Sequence, residues 1–464
     1  MPAYEMVQRI KTQELTSLEI TETLIERIER INPIINAYCT TTFDLARDMA
    51  TKADEAIRKG IKFGIINGVP LSLKDIIYTK GIRTTFGSKI YENYVPEFDE
   101  LVVKRLRKAG CVILGKTNTP EFAHCGSTHN LIFGKTKNPW KLDRTPGGSS
   151  GGAAAAVASG ISPLAIGSDR GGSIRIPSCF CGVYGLKTSF GRVPMYPTHG
   201  IDGILINTYG PITRSVKDAA LILDAMKGSH HADKYSLPDQ NINYSEKVNE
   251  KPNRLKIGYS LDLGYAKVID SDVEKNVLNS VQKFEKLGWT VEKAEIKMRK
   301  PELPFVIFHT VMYAYDFKSK LNEWRDKMEP DLVRMIEGGL NYTGLDIMKA
   351  LSRIKQLYEI FYQYFKNYDI LITPSTAVTA FELGIMGPTQ INGKNVSPTG
   401  WTPFSFIFNL TGHPAASIPC GWSRDGLPIG MQIVANRFEE LKILQVSHAF
   451  EEIAPWQDKK PPLN

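Results

Sequence analysis

The sequence is poor in residues that would support a metal site or a disulfide framework. Only six of its 464 residues are cysteines, and they fall mostly in apolar segments. The pair Cys179 and Cys181 has no second ligand pair at the spacing of zinc sites. Free thiols are typical of a reducing compartment, so we expect a cytoplasmic protein without a bound metal. The cysteines are Cys39, Cys111, Cys125, Cys179, Cys181 and Cys420.

Long hydrophobic runs and charge of one sign are also missing. No window of about 18 uncharged apolar residues exists, and residues 1–15 lack the apolar core of a signal peptide. The formal net charge is +8, and the basic residues are dispersed without long runs. Such a balance is typical of a solvated surface and not of a nucleic-acid footprint. The sequence therefore predicts neither a membrane span nor a nucleic-acid partner.

What the chain does contain is two glycine clusters that each carry serine. Residues 147–152 read GGSSGG and run into an alanine-rich helix former, so their amides are predicted to lie at a helix N-terminus. Residues 167–173 read GSDRGGS and follow a short apolar strand predicted at 164–166. Consecutive N–H groups beside a hydroxyl can hold the oxyanion of an acyl-transfer reaction. The two clusters are therefore predicted to bring two serines to one site.

A serine nucleophile requires a base, and neither cluster contains histidine. Lys74 ends an apolar, strand-like run at 69–74. Burial there would disfavour the ammonium form and lower the lysine pKa from its usual value of about 10.4. A neutral lysine can accept a proton from a serine hydroxyl, so Lys74 is the predicted base.

Other serine and glycine patterns fit less well. Neither cluster ends in the Gly-Lys-Ser/Thr of a phosphate-binding loop, and Ser173 does not lie in a Gly-x-Ser-x-Gly elbow. A Ser-x-x-Lys pattern like that of β-lactamases occurs at Ser280 and Lys283. It lies in an amphipathic helical stretch and lacks the companion motifs, so we interpret it as a chance match. A flexible linker would explain one Gly/Ser run, but not two that bracket an apolar segment.

At these residues the chain resembles the amidase signature family. Residues 147–178 satisfy the whole family pattern, including Asp169, the turn at 171–173, Arg175 and Pro177. The similarity extends over essentially the whole chain, so the chain is identified as a member of the stand-alone amidase branch. Further matching motifs lie at 68–75, 116–122, 133–140, 182–187, 409–414, 419–421 and 426–432.

The resemblance implies a Ser-Ser-Lys triad. Ser173 matches the nucleophile, Ser149 the bridging serine that follows a cis peptide bond, and Lys74 the base. It also implies that the substrate carboxamide is hydrolysed through an acyl-enzyme, with no metal and no organic cofactor.

The resemblance assigns further positions around this triad. The backbone N–H groups expected to form the oxyanion hole are those of Arg170, Gly171, Gly172 and Ser173. The residues expected to support the triad and its loop by hydrogen bonds are Ser150, Asp169 and Arg175, with Arg175 as the ion partner of Asp169. The expected substrate-binding positions are Cys125, Gly126 and Ser127.

Departures from the family pattern cluster near the same site. Arg170 stands where a small or apolar residue is usual, and its side chain either points to solvent or attracts a carboxylate on a substrate or partner. His124 and Cys125 replace a Met-Gly pair, and His129 replaces an acidic residue. A histidine beside a pocket is more often a hydrogen-bonded wall residue than a catalyst, so we interpret both histidines as wall residues.

The order of predicted elements indicates the fold. Residues 1–60 show helical periodicity, with Ser17 as a predicted helix cap and a second helix predicted at 43–58. Short apolar strands then alternate with helices, including strands predicted at 112–114, 256–259 and 369–373. We expect an α/β fold, a single large domain over 1–464 with a mixed, largely parallel central sheet covered by helices on both faces.

A variable helical cover region is predicted at 301–357. It is helical by periodicity and carries little of the family's common pattern. The resemblance implies that this segment covers the substrate funnel. Its aromatic side chains are predicted to pack between helices, and some of them to line an acyl pocket. They are His309, Tyr313, Tyr315, Phe317 and Trp324.

Two functions follow from the resemblance. The first is an amide hydrolase that releases ammonia or an amine from a small carboxamide, acting alone or as a homodimer. The alternative is the glutamine-hydrolysing component of a tRNA-dependent amidotransferase. That component recognises glutamine with acidic and basic residues that follow a motif rich in small residues, with Tyr, Ala and Ser. Residues 308–322 contain no counterpart of these features, and the Trp-Thr-Pro segment 401–403 stands where the acidic residue is expected. We therefore favour the stand-alone amidase.

Overall fold

The computed structural model describes residues 1–61, 64–200, 206–299 and 301–463. Within these ranges the strands are short, and those at the centre of the large sheet are buried on both faces. They are β1 (Tyr38–Thr41), β2 (Pro70–Lys74), β3 (Val112–Thr117), β4 (His129–Asn130), β5 (Gly134–Lys135), β6 (Leu164–Asp169), β7 (Tyr184–Lys187), β8 (Thr208–Thr213), β9 (Lys256–Tyr259), β10 (Thr290–Lys293), β11 (Ile370–Pro374), β12 (Gln390–Ile391), β13 (Lys394–Asn395), β14 (Ala415–Trp422) and β15 (Pro428–Ala435).

Helices alternate with these strands and cover the sheet. The described α-helices are α1 (Ala3–Lys11), α2 (Ser17–Ile35), α3 (Phe43–Arg58), α4 (Leu101–Lys108), α5 (Gly151–Ala158), α6 (Arg175–Cys181), α7 (Val216–Met226), α8 (Tyr244–Lys247), α9 (Ser271–Val281), α10 (Glu302–Phe317), α11 (Leu321–Trp324), α12 (Pro330–Gly339), α13 (Gly344–Tyr364), α14 (Phe406–Leu410) and α15 (Glu440–Ile453).

Eleven of the described strands form one sheet, in the order β1-β3-β2-β6-β8-β7-β14-β15-β11-β9-β10. The strands β3, β2 and β6 run parallel, and so do β11, β9 and β10. The strands between these two blocks pair antiparallel, as does β1 at the edge. The expected α/β fold with a mixed sheet is confirmed, and its parallel part consists of the two blocks.

The first parallel block positions the two segments that were predicted to carry the site. In the β2–β6 pairing, Leu71 lies opposite Leu164 and Leu73 opposite Ile166. Both strands are buried throughout, as expected for apolar runs in parallel pairs. Because carboxyl ends of neighbouring parallel strands meet at one sheet edge, Lys74 at the end of β2 comes beside the last residues of β6.

The helix α5 follows the first glycine cluster and is buried on all sides. Its alanine-rich sequence GGAAAAVA fits such a position, because small side chains let the backbone approach its neighbours closely. A Cβ on Gly151 would lie 2.3 Å from Thr128 Oγ1, and a Cβ on Gly152 would lie 2.4 Å from the Asn118 backbone N. The glycines at this helix start are therefore required by packing.

The helical N-terminal segment is confirmed, with one correction at its cap. Thr16, and not Ser17, caps α2, because its Oγ1 accepts a hydrogen bond from the Glu19 N–H and the Glu19 carboxylate accepts one from the Thr16 N–H. Ser17 is buried instead, and its Oγ donates to the Gly68 carbonyl at 2.7 Å. The helix predicted at 43–58 coincides with α3.

The cover region is helical, as expected. It comprises α10, α11, α12 and the first part of α13, which continues to Tyr364. The helix α10 packs against α12, α13 and α14. Its side chains Phe308, Met312 and Tyr313 are buried, whereas Tyr315 is 74% exposed. One side of α10 therefore faces the rest of the molecule.

Candidate active site

Lys74 lies at the carboxyl end of β2 and is fully buried. Its Nζ donates hydrogen bonds to Ser149 Oγ at 2.6 Å and to Ser168 Oγ at 2.9 Å. Burial lowers the pKa of Lys74 well below its ordinary value of 10.5, Asp169 opposes this shift, and the Arg170 charge adds to it. The site therefore favours a neutral amine in contact with two hydroxyl groups.

Ser149 lies in the first glycine cluster, and the peptide bond between Gly148 and Ser149 is cis, as the family resemblance implied. The serine is fully buried. Gly147 has a φ of +80°, which only glycine adopts readily. A Cβ on Gly148 would lie 2.8 Å from the Ser127 backbone N, so this loop packs directly on the 125–127 segment.

Ser173 lies in the loop between β6 and α6, and its side chain is partly exposed, unlike those of Ser149 and Lys74. The backbone joins the two serine clusters, because the Ser150 N–H donates to the Ser173 carbonyl at 3.1 Å. The backbone of Ser173 therefore lies beside the cluster whose Ser149 contacts Lys74.

Ser150 supports this arrangement through β6. Its Oγ donates to the Ser168 carbonyl at 3.3 Å and accepts from the Ser168 N–H at 3.4 Å. Ser168, whose hydroxyl contacts Lys74, was missed from the sequence. The alternation of side chains along a strand could have indicated it, because positions 168 and 169 of β6 must point to opposite faces of the sheet. If Asp169 points to one face, Ser168 points to the other.

Asp169 holds the loop that carries Ser173. Its carboxylate accepts hydrogen bonds from the N–H groups of Gly172 at 2.8 Å and Ile174 at 3.1 Å. It also forms a fully buried ion pair with Arg175, whose Nη2 lies 2.8 Å from Asp169 Oδ1. Burial alone would raise the pKa of Asp169, but the Arg175 guanidinium holds it well below its ordinary value.

The hydrogen bonds of Asp169 reduce the number of backbone amides that can form the predicted oxyanion hole. The Gly172 N–H already donates to Asp169, which leaves the amides of Arg170, Gly171 and Ser173 as the candidates of the four. Gly172 has a φ of +125°, and a Cβ there would lie 2.5 Å from Ser405 Oγ. Ser405 Oγ donates to the Gly171 carbonyl at 2.6 Å, so the loop is fixed from a distant part of the chain.

Two further residues complete the environment of Arg175 and were missed from the sequence. Arg175 Nη1 donates to Gln432 Oε1 at 2.7 Å, and Nη2 donates to Asn409 Oδ1 at 2.6 Å. The Asn409 amide in turn donates to Asp169 Oδ1 at 2.9 Å. Both residues lie within motifs that matched the family pattern, but only the fold shows that they contact the ion pair.

The predicted substrate-binding segment lies beside the cis peptide bond. Cys125 and Ser127 are buried, and burial raises the pKa of the Cys125 thiol to about 12. Ser127 Oγ lies 3.3 Å from Thr145 Oγ1 and so points into the protein. Gly126 is partly exposed, and a Cβ there would lie 2.7 Å from the Trp401 ring. Of the three, only Gly126 is partly exposed, and the Trp401 ring packs against it.

His124 is a buried wall residue, as expected, whereas His129 is partly exposed. His124 Nδ1 contacts the Glu121 carbonyl at 2.9 Å, and burial lowers its pKa to about 4. Burial also lowers the pKa of His129, which lies in β4. Both rings therefore favour the neutral form.

Arg170 does not extend into bulk solvent. Its guanidinium lies over the Tyr313 ring, with Cζ 5.2 Å from the ring centroid, and it lines a cavity beneath α10. Nearby, a Cβ on Gly171 would lie 2.6 Å from the Phe305 ring. The helix α10 thus lies directly over the loop that carries Ser173.

The rejected Ser-x-x-Lys pattern forms no site. Ser280 Oγ donates to the Cys420 carbonyl at 2.8 Å, and Lys283 lies 5.8 Å from the centroid of the Phe450 ring. In the described ranges, no group of three or more His, Cys, Asp or Glu side chains is placed to hold a metal ion. No helix among the described residues is long and apolar enough to cross a membrane.

The chain is similar to known amidases over almost its whole length. A family model described as Amidase matches residues 19–444. A glutamyl-tRNA(Gln) amidotransferase subunit of Sulfurihydrogenibium sp. (strain YO3AOP1) is 36% identical and covers 98% of this chain, which covers 98% of that protein. The acylamidase of Rhodococcus erythropolis is 34% identical over 99% of this chain and 97% of that protein.

Solved structures agree with these relatives. A bacterial aryl acylamidase of the amidase signature enzymes superposes with a TM-score of 0.92 at 29% identity, over 98% of this chain and 96% of that one. The match of the family model and the fold, together with the two serine clusters beside Lys74, places the chain in one group of hydrolases: it belongs to the amidase signature family.

Proposed function

We propose that this protein is a stand-alone amidase that hydrolyses the C–N bond of small carboxamides to a carboxylic acid and ammonia or an amine. The observation that carries the proposal is the fully buried Lys74, whose Nζ lies 2.6 Å from Ser149 Oγ. A lysine that favours the neutral form and contacts a serine hydroxyl can act as a base without any histidine.

In the proposed first half-reaction, Ser173 Oγ attacks the amide carbonyl carbon. The Ser173 proton passes to Ser149 Oγ, and the Ser149 proton passes to the lone pair of neutral Lys74 Nζ. The tetrahedral intermediate then collapses and the C–N bond breaks. Ser149 gives its proton to the leaving nitrogen, and the protonated Lys74 Nζ returns a proton to Ser149 Oγ. An acyl-enzyme on Ser173 and free ammonia or amine result.

Water completes the cycle in the proposed second half-reaction. It attacks the acyl carbon of the ester on Ser173, and its proton passes through Ser149 to Lys74. As the second tetrahedral intermediate collapses, the bond between the acyl carbon and Ser173 Oγ breaks and the carboxylic acid is released. Lys74 returns its proton through Ser149 to Ser173 Oγ, which restores the hydroxyl group and the neutral lysine. The same relay therefore serves both half-reactions, and no external oxidant, reductant or cofactor is needed.

Backbone amides are proposed to stabilise both tetrahedral intermediates. The N–H groups of Gly171 and Ser173, with that of Arg170, lie in a loop fixed by Asp169 and Ser405. Such preorganised donors contribute several kcal/mol when they meet the charge that develops on the oxygen, because they need not reorient during the reaction.

The glutamine-hydrolysing amidotransferase component stays the alternative, because the chain is also similar to proteins of that name. The feature that speaks against it is Trp401, which stands where the acidic glutamine-recognition residue is expected. Trp401 is buried, packs against Phe180 and Phe381, and closes over Gly126. An apolar ring at this place offers no counter-charge to the α-ammonium group of glutamine.

The test is to measure ammonia or amine release by the purified chain against aliphatic amides, benzamide, anilides and glutamine. Ser173→Ala is the negative control, and Ser280→Ala is the matched control for loss of a buried hydroxyl elsewhere. We expect turnover of simple amides or anilides by the lone chain. Glutamine hydrolysis that appears only with partner proteins and tRNA would instead assign the amidotransferase.

A further inference from the structure

The indole ring of Trp401 lies against one of the expected substrate-binding positions. A Cβ on Gly126 would lie 2.7 Å from Trp401 Cη2 and 2.9 Å from Cζ2, so the benzene edge of the indole faces this glycine. Gly126 is partly exposed, whereas Trp401 is buried. The ring edge therefore bounds the accessible surface at Gly126.

Gly126 packs on the loop of the bridging serine. A Cβ on Gly148, which forms the cis peptide bond with Ser149, would lie 2.9 Å from the Gly126 carbonyl carbon. The backbones of the two segments are thus in direct contact. A substrate group that lies along Gly126 is therefore next to the serine that is proposed to carry protons.

The side chain of Ile176 joins the same glycine to the loop of the nucleophile. Its Cδ1 would lie 3.8 Å from a Cβ on Gly126 and 2.8 Å from a Cβ on Gly172, which precedes Ser173. Ser173 is partly exposed, as Gly126 is, whereas Ile176 is buried. The accessible surface at Gly126 therefore lies one side chain away from the loop that carries Ser173.

The Trp401 ring is held in place on the sides that do not face Gly126. It stacks on Phe180 with the ring centroids 6.1 Å apart, and Phe381 meets it edge to face at 5.0 Å. A Cβ on Gly387 would lie 2.3 Å from Trp401 Nε1, so backbone packs against the pyrrole edge. A ring packed in this way cannot yield to a larger substrate group without displacing its neighbours.

We propose that Trp401 is a specificity-determining residue that limits the width of the amide substrate. The inference rests on the proposed amidase function and adds the substrate class. A substituent that lies along Gly126 meets the fixed ring edge, which leaves room for a straight chain but not for a branch. The preferred substrates are then amides that are unbranched at the carbonyl carbon or at the nitrogen, whichever part lies along Gly126.

The experiment compares isomeric amides, so the two members of each pair contain the same atoms. One series varies the acyl group and pairs butanamide with 2-methylpropanamide, and pentanamide with 2,2-dimethylpropanamide. The other series varies the amine and pairs N-propylacetamide with N-isopropylacetamide. The readout is kcat/KM for the branched isomer divided by kcat/KM for the straight isomer. Each variant is compared with the native protein, so the intrinsic reactivity of the isomers cancels.

We expect Trp401→Leu to raise this branched-to-straight ratio by about tenfold or more in at least one series, as when a pocket comes to accept an extra methyl group. Trp401→Phe, whose ring is smaller, should raise the ratio less. It also serves as the second variant if Trp401→Leu does not fold, which melting temperatures show. A ratio that both Trp401 variants leave unchanged in both series overturns the inference.

Trp289→Leu is the matched control for loss of a buried indole. Trp289 is 3% exposed, as Trp401 is, but it stacks on Phe284 and directly precedes β10 at the far edge of the sheet. The control should keep the native ratio in both series. A rise in the ratio as large as that of Trp401→Leu would mean that general loosening of the protein causes it, and would overturn the inference.

A separate measurement distinguishes failure of this inference from failure of the proposed function. Binding of the isomers to Ser173→Ala is followed by calorimetry, which needs no turnover. If the native protein hydrolyses none of the amides, the proposed function fails. A binding preference for straight isomers that is lost in the Ser173→Ala, Trp401→Leu double variant still supports the role of the ring. Turnover with an unchanged ratio keeps the function and overturns the role of Trp401.

Discussion

The floor of the site and the cover region above it are built in different ways. The floor consists of β2, β6 and the two glycine clusters, and its side chains are held by backbone pairing, hydroxyl contacts and a buried ion pair. The cover region meets it through rings such as Phe305 and Tyr313, and leaves Tyr315, Leu345 and Met348 more than 60% exposed.

From this difference we infer that the floor and the cover have different roles. Contacts in the floor are short, directional and mutually dependent, so a change in one group moves the others. The cover adds a few hydrogen bonds, such as that from the Tyr313 hydroxyl to the Phe122 carbonyl, but its ring contacts are dispersive, and dispersive contacts adapt to changes of shape at small cost. We therefore expect substitutions in the floor to abolish chemistry or folding, and substitutions in the cover to change which amide is preferred.

The largest effect is expected at the triad. Ser173→Ala and Lys74→Met should each lower kcat/KM for the best amide by about 10³-fold or more, because the nucleophile or its base is lost. Ser149→Ala should also lose most of its activity, but it should retain more than Ser173→Ala or Lys74→Met. Ser280→Ala, which removes a buried hydroxyl on α9, should retain it. Substantial turnover by Ser173→Ala would falsify the proposed mechanism.

The second effect concerns the buried ion pair of the floor. Asp169→Asn should destabilise the protein by about 3–5 kcal/mol, because Arg175 is left as an unpaired buried charge. Thermal unfolding measures the loss. Glu22→Gln, which breaks the exposed Arg47–Glu22 pair, is the matched control and should leave the melting temperature nearly unchanged.

The sign of the pH dependence follows from the same carboxylate. The pKa of Asp169 is lower in the folded protein than in the unfolded chain, so its contribution to stability is present above a pH of about 4 and lost as the pH falls below it. The native protein and Asp169→Asn should therefore converge in stability at acid pH. A constant difference between them down to about pH 2 would contradict this account.

The third effect tests the protonation state of Lys74. Since only the neutral amine can act as base, kcat/KM should rise about tenfold per pH unit on the acid side and level off at a pH well below 10.5. The control is Glu100→Gln, because burial raises the pKa of Glu100 to about 7 and this residue lines the cavity beneath α10. This variant should keep the same dependence of kcat/KM on pH. A plateau reached only near about pH 10 would show that Lys74 is charged in the resting protein.

The floor was largely predictable from the sequence, and so was the helical character of the cover, but the contacts that the cover makes with the floor were not. Glycine, serine and lysine at 147–152, 167–173 and 74 carry their own backbone and protonation requirements, so local sequence indicated the chemistry. Asn409, Gln432 and Ser405 reach the same loop from more than 200 residues away, and no local pattern identifies such contacts. The contact of Arg170 with Tyr313 likewise depends on where α10 lies.

The smallest effect is expected in the cover. Tyr313→Phe keeps the ring under Arg170 but removes the hydroxyl that donates to the Phe122 carbonyl, a change of about 1 kcal/mol. We expect a small fall in melting temperature and a change in KM of a fewfold, with kcat little affected, because no reacting atom is touched. Tyr315→Phe on the exposed face of the same helix is the matched control and should change neither quantity. If Tyr313→Phe instead lowers kcat a hundredfold with KM unchanged, the cover takes part in the chemical step, and the division between floor and cover does not hold.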